Sequence, residues 1–356
     1  MEFGIQFFPD VTPEEKPAEV YFDESLRLVE LCDEFGFSHV RTVEHYFESY
    51  GGYSPNPIVF LTACAARTRK ARLITGAVLP IFNNPLKIAG EAGMLDAISG
   101  GRLELGFARA FLPHEFHRFR VELDESVQRF DEGVAQITRL LEEEHVSMEG
   151  KFHGFDDVTS LPRPVQQAIP YWTAAVATPA SFEKAGRSGH SIMAIPLAGG
   201  KMVELLGLYR DAWRSAGHPG NGRVMLAFHM VCHEDHDAAV EIARDNLNRY
   251  LNSLVTSASN WLTGEESKDY RDYGKIVAKL KEETFDTQMA SGGAWVGTPN
   301  ELIECIDDYQ RSIGGFEIAS LQVNFNLVPY EDAAHSMKLF GEKVIPRFAQ
   351  TRTAAA

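Results

Sequence analysis

Short apolar runs alternate with longer amphipathic stretches along almost the whole chain. Eight of the runs have the length and apolar content of buried strands: residues 2–7, 39–43, 72–79, 103–107, 169–175, 191–195, 223–231 and 318–325. Helical periodicity fills the stretches that follow them: residues 23–35, 57–67, 85–99, 126–143, 179–188, 201–216, 236–254, 298–312 and 332–348. The pattern therefore predicts an α/β protein built of eight strand–helix units.

The connections between the strands favour one of two architectures. Helical crossovers of this length join parallel strands, and eight such units close into a barrel. An open doubly wound sheet is the competitor, but it normally carries a glycine-rich phosphate loop after its first strand. Here Phe8-Pro-Asp-Val-Thr-Pro13 follows that strand, and the sequence contains neither a G-x-G-x-x-G signature nor a Walker loop. We therefore predict a (β/α)8 TIM barrel, as a single domain over residues 1–356.

Two stretches interrupt the alternation. Gly150, Gly154 and Pro162 divide residues 145–163 into short alternating runs, which predict a hairpin inserted after the fourth unit. Residues 256–293 are polar, charged, weakly patterned and too long for an ordinary connection, so we predict a mobile lid at 255–293. Residues 349–356 are expected to form a tail.

Composition and charge narrow the possible partners. With 50 acidic against 34 basic side chains, the formal charge of −16 repels phosphate backbones and anionic lipid, so we expect neither nucleic acid nor membrane partners. The first residues resemble a strand rather than a signal segment, and no apolar run is long enough to span a bilayer. The four cysteines are far apart, which favours reduced, buried thiols. We therefore expect a cytoplasmic protein.

Glu44-His45 is the most informative candidate for chemistry. The pair follows the second predicted strand directly, and the carboxyl ends of barrel strands are where such proteins place their catalytic groups. Imidazole titrates near neutral pH and suits proton transfer. Glu44 would then either orient the ring or form a salt bridge with Arg41. The other strand exits nominate Phe8, Gly76–Leu79, Ile195 and Asn324–Asn326.

Two further strand exits suggest a phosphate site. Arg109 lies among apolar neighbours, where its guanidinium is suited to clamp a phosphate, although a solvated surface arginine is the alternative. Thr178 occupies a helix N-cap position with Pro179 in the first turn, and Ser181 presents a second hydroxyl near free backbone amides. A plain helix cap without a ligand would show the same pattern.

Other motifs are weaker. His114 and His117 follow Arg109 on what we interpret as a loop, and a surface position is their ordinary explanation. His233 and His236 superficially resemble a metal motif, but they open a helix where polar and acidic residues are expected, so we predict no metal site. No G-x-S-x-G nucleophile elbow is present.

Three motifs, in their order along the chain, resemble those of the bacterial luciferase-like flavin-dependent monooxygenases, particularly the luciferase alpha subunit. They are Val43-Glu-His-Tyr-Phe47, Gly101-Arg-Leu-Glu-Leu-Gly106 followed by Arg109, and Val296-Gly-Thr-Pro299. The resemblance extends from Met1 to Phe348. It implies a (β/α)8 barrel that binds reduced FMN at its carboxyl face, with O2 as co-substrate, and an NAD(P)H:flavin reductase that supplies the flavin. It further implies that oxygen is inserted through a C4a-(hydro)peroxyflavin.

The resemblance also assigns roles to individual residues. His45 matches the catalytic histidine, with Glu44 before it, and Gly76-Ala77 matches a non-prolyl cis peptide under the flavin. Ala108 replaces a reactive cysteine, Ala177 a glutamate, and Val127 a second phosphate-binding arginine, with Arg129 nearby in sequence. The cofactor-binding residues it implies are Gly76, Ala77, Ala108, Arg109, Ala177, Thr178 and Ser181.

The substrate is less well determined. We expect a hydrophobic small molecule, with a polyketide or acyl natural-product intermediate favoured and a role in antibiotic biosynthesis. The alternatives are a long-chain-aldehyde luciferase, an oxidoreductase dependent on the deazaflavin F420, and a non-catalytic flavin-binding subunit. Because the predicted helices at 57–67 and 85–99 are rich in small residues and form the dimer interface in the family, we also expect a homodimer.

Overall fold

The eight predicted strand segments pair in parallel and close into a barrel. In a computed structural model, which describes residues 1–197 and 199–349, the barrel strands are numbered in chain order together with three strands outside the barrel. In order around the barrel they are β1 (Glu2–Phe7), β2 (His39–Thr42), β3 (Arg72–Thr75), β4 (Leu103–Phe107), β7 (Tyr171–Ala174), β8 (Ser191–Ala194), β9 (Val224–Cys232) and β11 (Ile318–Gln322). β11 pairs with β1 and completes the closure, so the predicted TIM barrel is confirmed.

Helices connect the strands on the outside of the barrel. They are α1 (Ala18–Phe35), α2 (Pro57–Arg67), α3 (Pro85–Ser99), α4 (Pro113–Phe119), α5 (Ser126–Glu142), α6 (Pro179–Ser188), α7 (Gly199–Ser215), α8 (His236–Ser257), α9 (Tyr273–Leu280), α10 (Phe285–Ser291), α11 (Pro299–Ile313), α12 (Tyr330–Lys343) and α13 (Ile345–Ala349). Local sequence sets their ends. The side chain of Asn56 caps α2 by accepting from Ile58 N and Val59 N, and Gly36 ends α1 in the left-handed conformation at φ 81°.

The inserted hairpin is present, and one strand was missed. β5 (Val146–Met148) and β6 (Phe155–Val158) pair antiparallel within the predicted stretch. β10 (Ala294–Gly297) was not predicted, because four buried residues are too few to show an alternating pattern. His229 pairs with both Gln322 and Ala294, so β10 lies along the edge of β9 opposite to β11.

Two helical predictions need correction. The closing helix, predicted at 332–348, is two helices, because Pro346 lacks an N–H and its ring clashes with the preceding turn. His114 and His117 lie on the helix α4 rather than on a loop; Pro113 occupies its first turn. Of the predicted tail, Ala349 ends α13 and residues 350–356 lie outside the described residues.

Charged side chains close the amino-terminal end of the barrel interior. Arg72 Nη2 lies 2.6 Å from Glu2 Oε2, and Arg72 Nε lies 2.9 Å from Glu104 Oε1. Arg223 Nη1 lies 3.4 Å from Glu104 Oε2, which also accepts a hydrogen bond from Trp172 Nε1 at 2.6 Å. Both arginines at this end are therefore neutralised by carboxylates of the same chain.

Apolar side chains fill the barrel and the space between barrel and helices. Ile74, Trp172, Met193, Met225 and Ile318 form a separate buried cluster contributed by five barrel strands. All four cysteines are free, and three of them are buried. Within the described part of the chain, no helix combines the length and the apolar character needed to cross a bilayer.

Candidate active site

A cavity of about 260 Å³ lies at the carboxyl ends of the barrel strands. Its walls are mostly apolar and aromatic, and side chains from α8, α9 and the residues after them form its cover. Eight of the nine predicted site residues line it: Glu44, His45, Gly76, Ala77, Ala108, Arg109, Thr178 and Ser181. The ninth, Ala177, does not line it, although its neighbours Val176 and Thr178 do.

His45 is held by a carboxylate that the sequence did not reveal. Its Nδ1 lies 3.0 Å from Oε1 of Glu115, a fully buried residue of α4, and the same oxygen accepts from Tyr46 N at 2.9 Å. Because a carboxylate only accepts, this contact places the proton of the neutral imidazole on Nδ1. Nε2 forms no hydrogen bond to any described residue, and its lone pair is left to act as a base toward the cavity.

Glu44 does not orient His45, nor does it pair with Arg41. Its Oε1 accepts from Tyr46 Oη at 2.5 Å and from Asn83 Nδ2 at 2.7 Å, and its Oε2 accepts from Leu79 N at 3.0 Å. Burial raises the pKa of Glu44 to about 7, against these three hydrogen bonds, which favour the ionised form. Glu44 therefore links the loop after β2 to the segment that follows β3 through hydrogen bonds.

Gly76 and Ala77 follow β3 directly and line the floor of the cavity. The peptide bond between them is cis, as expected. A Cβ on Gly76 would lie 1.9 Å from Nε of Arg41, so only glycine leaves room for this guanidinium. Arg41 in turn donates from Nη2 to the carbonyl oxygen of Gly76 at 2.9 Å.

The opposite end of the cavity lies at the exit of β7, three strands around the barrel from β2, and carries hydroxyl groups without partners among the described residues. Thr178 is the N-cap of α6, yet its side chain makes no capping hydrogen bond, and Pro179 occupies the first turn. Ser181 lies one turn into the helix, and its hydroxyl bonds to no described residue. Arg109 lines the same cavity. Free hydroxyls, a helix N-terminus and a guanidinium are groups that are suited to bind a phosphate.

The stretch predicted as a lid covers this end, and we call residues 256–293 the covering segment. Arg109 Nη1 donates to the carbonyl oxygen of Asp269 at 2.8 Å, and its guanidinium lies 4.3 Å from the ring centroid of Tyr270. The carboxylate of Asp269 accepts from Val127 N at 3.1 Å, at the start of α5. Asp269 therefore caps α5 beside Val127, the position at which the resemblance implied that an arginine is replaced. Arg129 Nη2 lies 3.0 Å from Oε2 of Glu125.

Of the other predicted candidates, some lie away from the cavity and some line it. His114 Nε2 and Nδ1 contact the carbonyl oxygens of Tyr46 and Ser257, at 3.1 and 3.3 Å. His117 pairs with Glu265 on the outer surface at 3.4 Å. Asn326 and Asn324 do not line the cavity either. Phe8, Leu79 and Ile195 do line it.

The histidines after β9 are arranged differently from their spacing in sequence. His236 contacts a carboxylate on α11 rather than His233. His233 and Glu234 approach His335 of α12 instead, and the candidate ligand atoms of these three lie within 4.8 Å of one another. Glu234 and His335 already form an exposed ion pair at 2.7 Å, which accounts for their contact without an ion.

Comparison with known proteins agrees with this architecture. The family profile described as luciferase-like monooxygenase matches residues 1–314. The chain is 26% identical over 363 residues to the flavin-dependent trigonelline monooxygenase, oxygenase component, of Acinetobacter baylyi, over 99% of this chain and 97% of that protein. It is 27% identical over 335 residues to the 4-hydroxyprotoasukamycin monooxygenase of Streptomyces nodosus subsp. asukaensis, over 91% and 86%. The crystal structure of monooxygenase RslO1 from Streptomyces bottropensis superposes with a TM-score of 0.87 and 44% identity, over 98% of this chain and 100% of that one.

Proposed function

This chain belongs to the luciferase-like monooxygenase family, and we propose that it is the FMN-dependent oxygenase component of a two-component system. In this proposal it inserts one oxygen atom from O2 into a hydrophobic natural-product intermediate, such as a polyketide or acyl compound. One observation carries the proposal: an imidazole held by a carboxylate, an arginine and two hydroxyls at a helix N-terminus line the same, mostly apolar cavity.

The residues of the cavity fit FMN. Thr178, Ser181 and Arg109 would hold its phosphate, since the two hydroxyls have no internal partner. Gly76, Ala77 and Ala108 provide small side chains along the wall between that end and His45, where a planar ring needs space. When bound, reduced FMN would supply the electrons that activate O2.

The chain's own contribution is positioning, proton transfer and exclusion of water. With Nδ1–H held by Glu115, His45 takes up a proton at Nε2 from the reacting group, and the carboxylate stabilises the resulting imidazolium. Phe8, Tyr50 and Phe111 surround the imidazole ring at centroid distances of 5.4, 5.6 and 6.1 Å. Such apolar walls keep water from competing with the substrate.

We further propose that the covering segment is a lid. Tyr273, Ile276, Val277 and Leu280 of α9 line the cavity, so α9 must move aside for flavin or substrate to enter. A separate NAD(P)H:flavin reductase would supply the reduced flavin. This part of the proposal is supported by the relative whose name describes it as an oxygenase component.

The homodimer stays part of the proposal. Val59 of α2 and Met94 and Ile98 of α3 are apolar and 67, 53 and 52% exposed. Leu161 and Val165, which follow the hairpin, add 72 and 61% exposed side chains. Apolar groups this exposed are typical of a surface that another chain covers. Light scattering during size-exclusion chromatography tests it: we expect a dimer, and a monomer from Met94→Glu, whereas a monomeric unmodified protein contradicts the interface.

The activity is tested by reconstitution with FMN, a flavin reductase, NADH and candidate polyketide and acyl substrates. We expect substrate-dependent oxygen consumption and a product heavier by one oxygen atom, derived from isotopically labelled O2. Reactions without the reductase or without FMN are the controls. Light emission with long-chain aldehydes would establish a luciferase instead. Reduction of substrate by reduced F420 without O2 would contradict the oxygenase function, as would the absence of turnover with every flavin.

A further inference from the structure

Arg41 is a cation in the cavity floor that no carboxylate neutralises. Its Nη1 donates to Gln6 Oε1 and its Nη2 to the carbonyl oxygen of Gly76 at 2.9 Å, while Nε is buried and has no hydrogen-bond partner. Burial lowers the pKa of Arg41 to about 10, and the only groups that act in the opposite direction are the hydroxyls of Tyr250 and Tyr50. Both hydrogen-bond acceptors are neutral amide oxygens, so the positive charge is left uncompensated within the described residues.

The other arginines inside the barrel show that this arrangement is specific to the carboxyl end. Arg72 and Arg223, at the amino end, lie within 2.9 and 3.4 Å of Glu104, and Arg72 also contacts Glu2. A buried charge without a partner costs several kcal/mol, which is why charges inside proteins are usually paired. The chain supplies that partner at one end of the barrel and omits it where the cavity opens.

Neutral donors surround the free charge. The hydroxyls of Tyr50 and Tyr250 lie 3.5 Å apart, and both side chains line the cavity. His229 packs edge-on against Tyr250 at 4.5 Å between centroids, and its Nε2 is buried without a partner. Burial lowers the pKa of His229 to about 3, so it is neutral here. The buried carboxyl of Asp10 has its pKa raised to about 8 by burial, and it therefore carries little negative charge at neutral pH.

We propose that Arg41, Tyr50 and Tyr250 form an anion subsite that binds an ionised oxygen of the substrate, on an otherwise planar and apolar molecule. Carboxylate, enolate and phenolate oxygens share the required chemistry: negative charge in the plane of a conjugated system, which a planar guanidinium matches. The inference rests on the proposed function for the position of the flavin. It adds that the substrate is acidic rather than merely hydrophobic, and that its charged end points to the barrel floor.

Reduced FMN is a second possible source of such an oxygen, because its ring also becomes anionic. The two sources make different predictions. If Arg41 serves the flavin, its replacement weakens flavin binding in the absence of any substrate. If Arg41 serves the substrate, flavin affinity is retained and the preference for an acidic ligand is lost.

Calorimetric titration of the full-length protein, with and without FMN, distinguishes them. The probes are 2-naphthoate and 2-naphthamide, which share one ring system and differ in charge. We expect the unmodified protein to bind 2-naphthoate about tenfold more tightly, since only the carboxylate forms hydrogen bonds between two charged groups with the guanidinium. Arg41→Gln should reduce that preference to less than about twofold without changing the affinity for 2-naphthamide, and Arg41→Lys should restore part of it.

The control is Arg118→Gln, which removes an exposed arginine of α4 that pairs with Glu48. It should leave the preference unchanged. Thermal melting reports whether each variant is folded. Should Arg41→Gln not fold, Tyr50→Phe and Tyr250→Phe should each weaken the binding of 2-naphthoate, but not of 2-naphthamide, by about fivefold.

Equal affinities of the unmodified protein for the two probes would overturn the subsite, as would a preference in Arg41→Gln equal to that of the unmodified protein. Weaker FMN binding in Arg41→Gln with the preference intact assigns the charge to the flavin and also overturns it. Oxygen consumption is measured separately, so an Arg41-dependent preference without turnover would contradict the oxygenase function alone.

Discussion

Both ends of the barrel interior carry arginines and other polar side chains, but the two ends differ in whether the chain supplies partners for them. At the amino end, Arg72 and Arg223 contact Glu104, which also accepts from Trp172. At the carboxyl end, the described residues provide no carboxylate for Arg41 and no hydrogen-bond partner for the hydroxyl of Thr178. The charges at the amino end are paired within the chain, whereas hydrogen-bond donors at the carboxyl end face a cavity without a partner among the described residues.

This difference separates structural polar groups from functional ones without reference to any relative. A buried polar group whose partners all lie within the chain contributes to stability and register. A polar group that faces a cavity without a partner lowers stability, and it is retained where a ligand completes it. His45 combines both properties, because Glu115 satisfies Nδ1 while Nε2 stays open.

His45→Ala should have the largest effect on activity. Removal of the general base is expected to lower kcat/KM for oxygenation by about 10²–10⁴-fold. The FMN dissociation constant should stay nearly unchanged, because the residues proposed to bind the phosphate follow β4 and β7 rather than β2. Product formation and flavin fluorescence titration measure the two quantities. His117→Ala, an exposed histidine of α4, is the matched control. A fully active His45→Ala protein would refute the catalytic role of His45.

Glu104→Gln, at the amino end, should lower stability and leave activity unchanged. It leaves two partly buried arginines with less negative charge, so we expect the free energy of unfolding to fall by about 2–3 kcal/mol. FMN affinity and kcat should not change in the folded fraction. Denaturant unfolding provides the measurement, with Glu143→Gln in an exposed pair with Arg139 as a control expected to cost less than about 0.5 kcal/mol. Loss of flavin binding at unchanged stability would erase the distinction between the two ends.

Glu115→Gln tests the residue that belongs to both categories. The amide oxygen of glutamine can still accept from Nδ1–H and Tyr46 N, but it carries no negative charge, so the imidazolium that forms at His45 loses its stabilising anion. We expect kcat/KM to fall by about 10–100-fold, together with a displaced pH profile, because the proton acceptor is no longer paired with an anion. Glu115→Asp should recover part of the activity. An unchanged pH profile with lower stability would mean that Glu115 is only structural.

The sequence was sufficient for the parts of the site that follow from barrel geometry. Strand exits converge at one end of any parallel barrel, so His45, Arg109 and Thr178 could be placed together from their positions after predicted strands. The same logic nominated Gly76–Leu79, of which Gly76, Ala77 and Leu79 line the cavity. Element boundaries were close because capping residues such as Asn56 and Gly36 act locally.

The missed residues depend on contacts that no local pattern encodes. Glu115 reaches His45 across 70 positions of sequence, from a helix of seven residues that was taken for a loop. A salt bridge between Arg41 and Glu44, three residues away, was one of two alternatives that the sequence left open for Glu44. In the structure Arg41 pairs in register with Gln6 on β1 and lines the cavity floor, while Glu44 lies beyond the strand and binds Leu79 N. The sequence did contain one sign of this role: Arg41 is a charged residue within a predicted barrel strand.

Thr178→Ala and Ser181→Ala should give the smallest effects, and these effects should be confined to flavin binding at the carboxyl end of the barrel. Each hydroxyl removed is expected to raise the FMN dissociation constant by about tenfold, the equivalent of one hydrogen bond to a charged group. At saturating FMN, kcat should be unchanged, because neither residue is at the His45 end of the cavity. Ser188→Ala, at the other end of α6, removes a hydroxyl of the same helix and should leave the dissociation constant unchanged. Since neither Thr178 nor Ser181 has an internal partner to lose, both variants should unfold at the same denaturant concentration as the unmodified protein. A stability loss without a change in FMN affinity would show that these hydroxyls cap the helix and that the phosphate binds elsewhere.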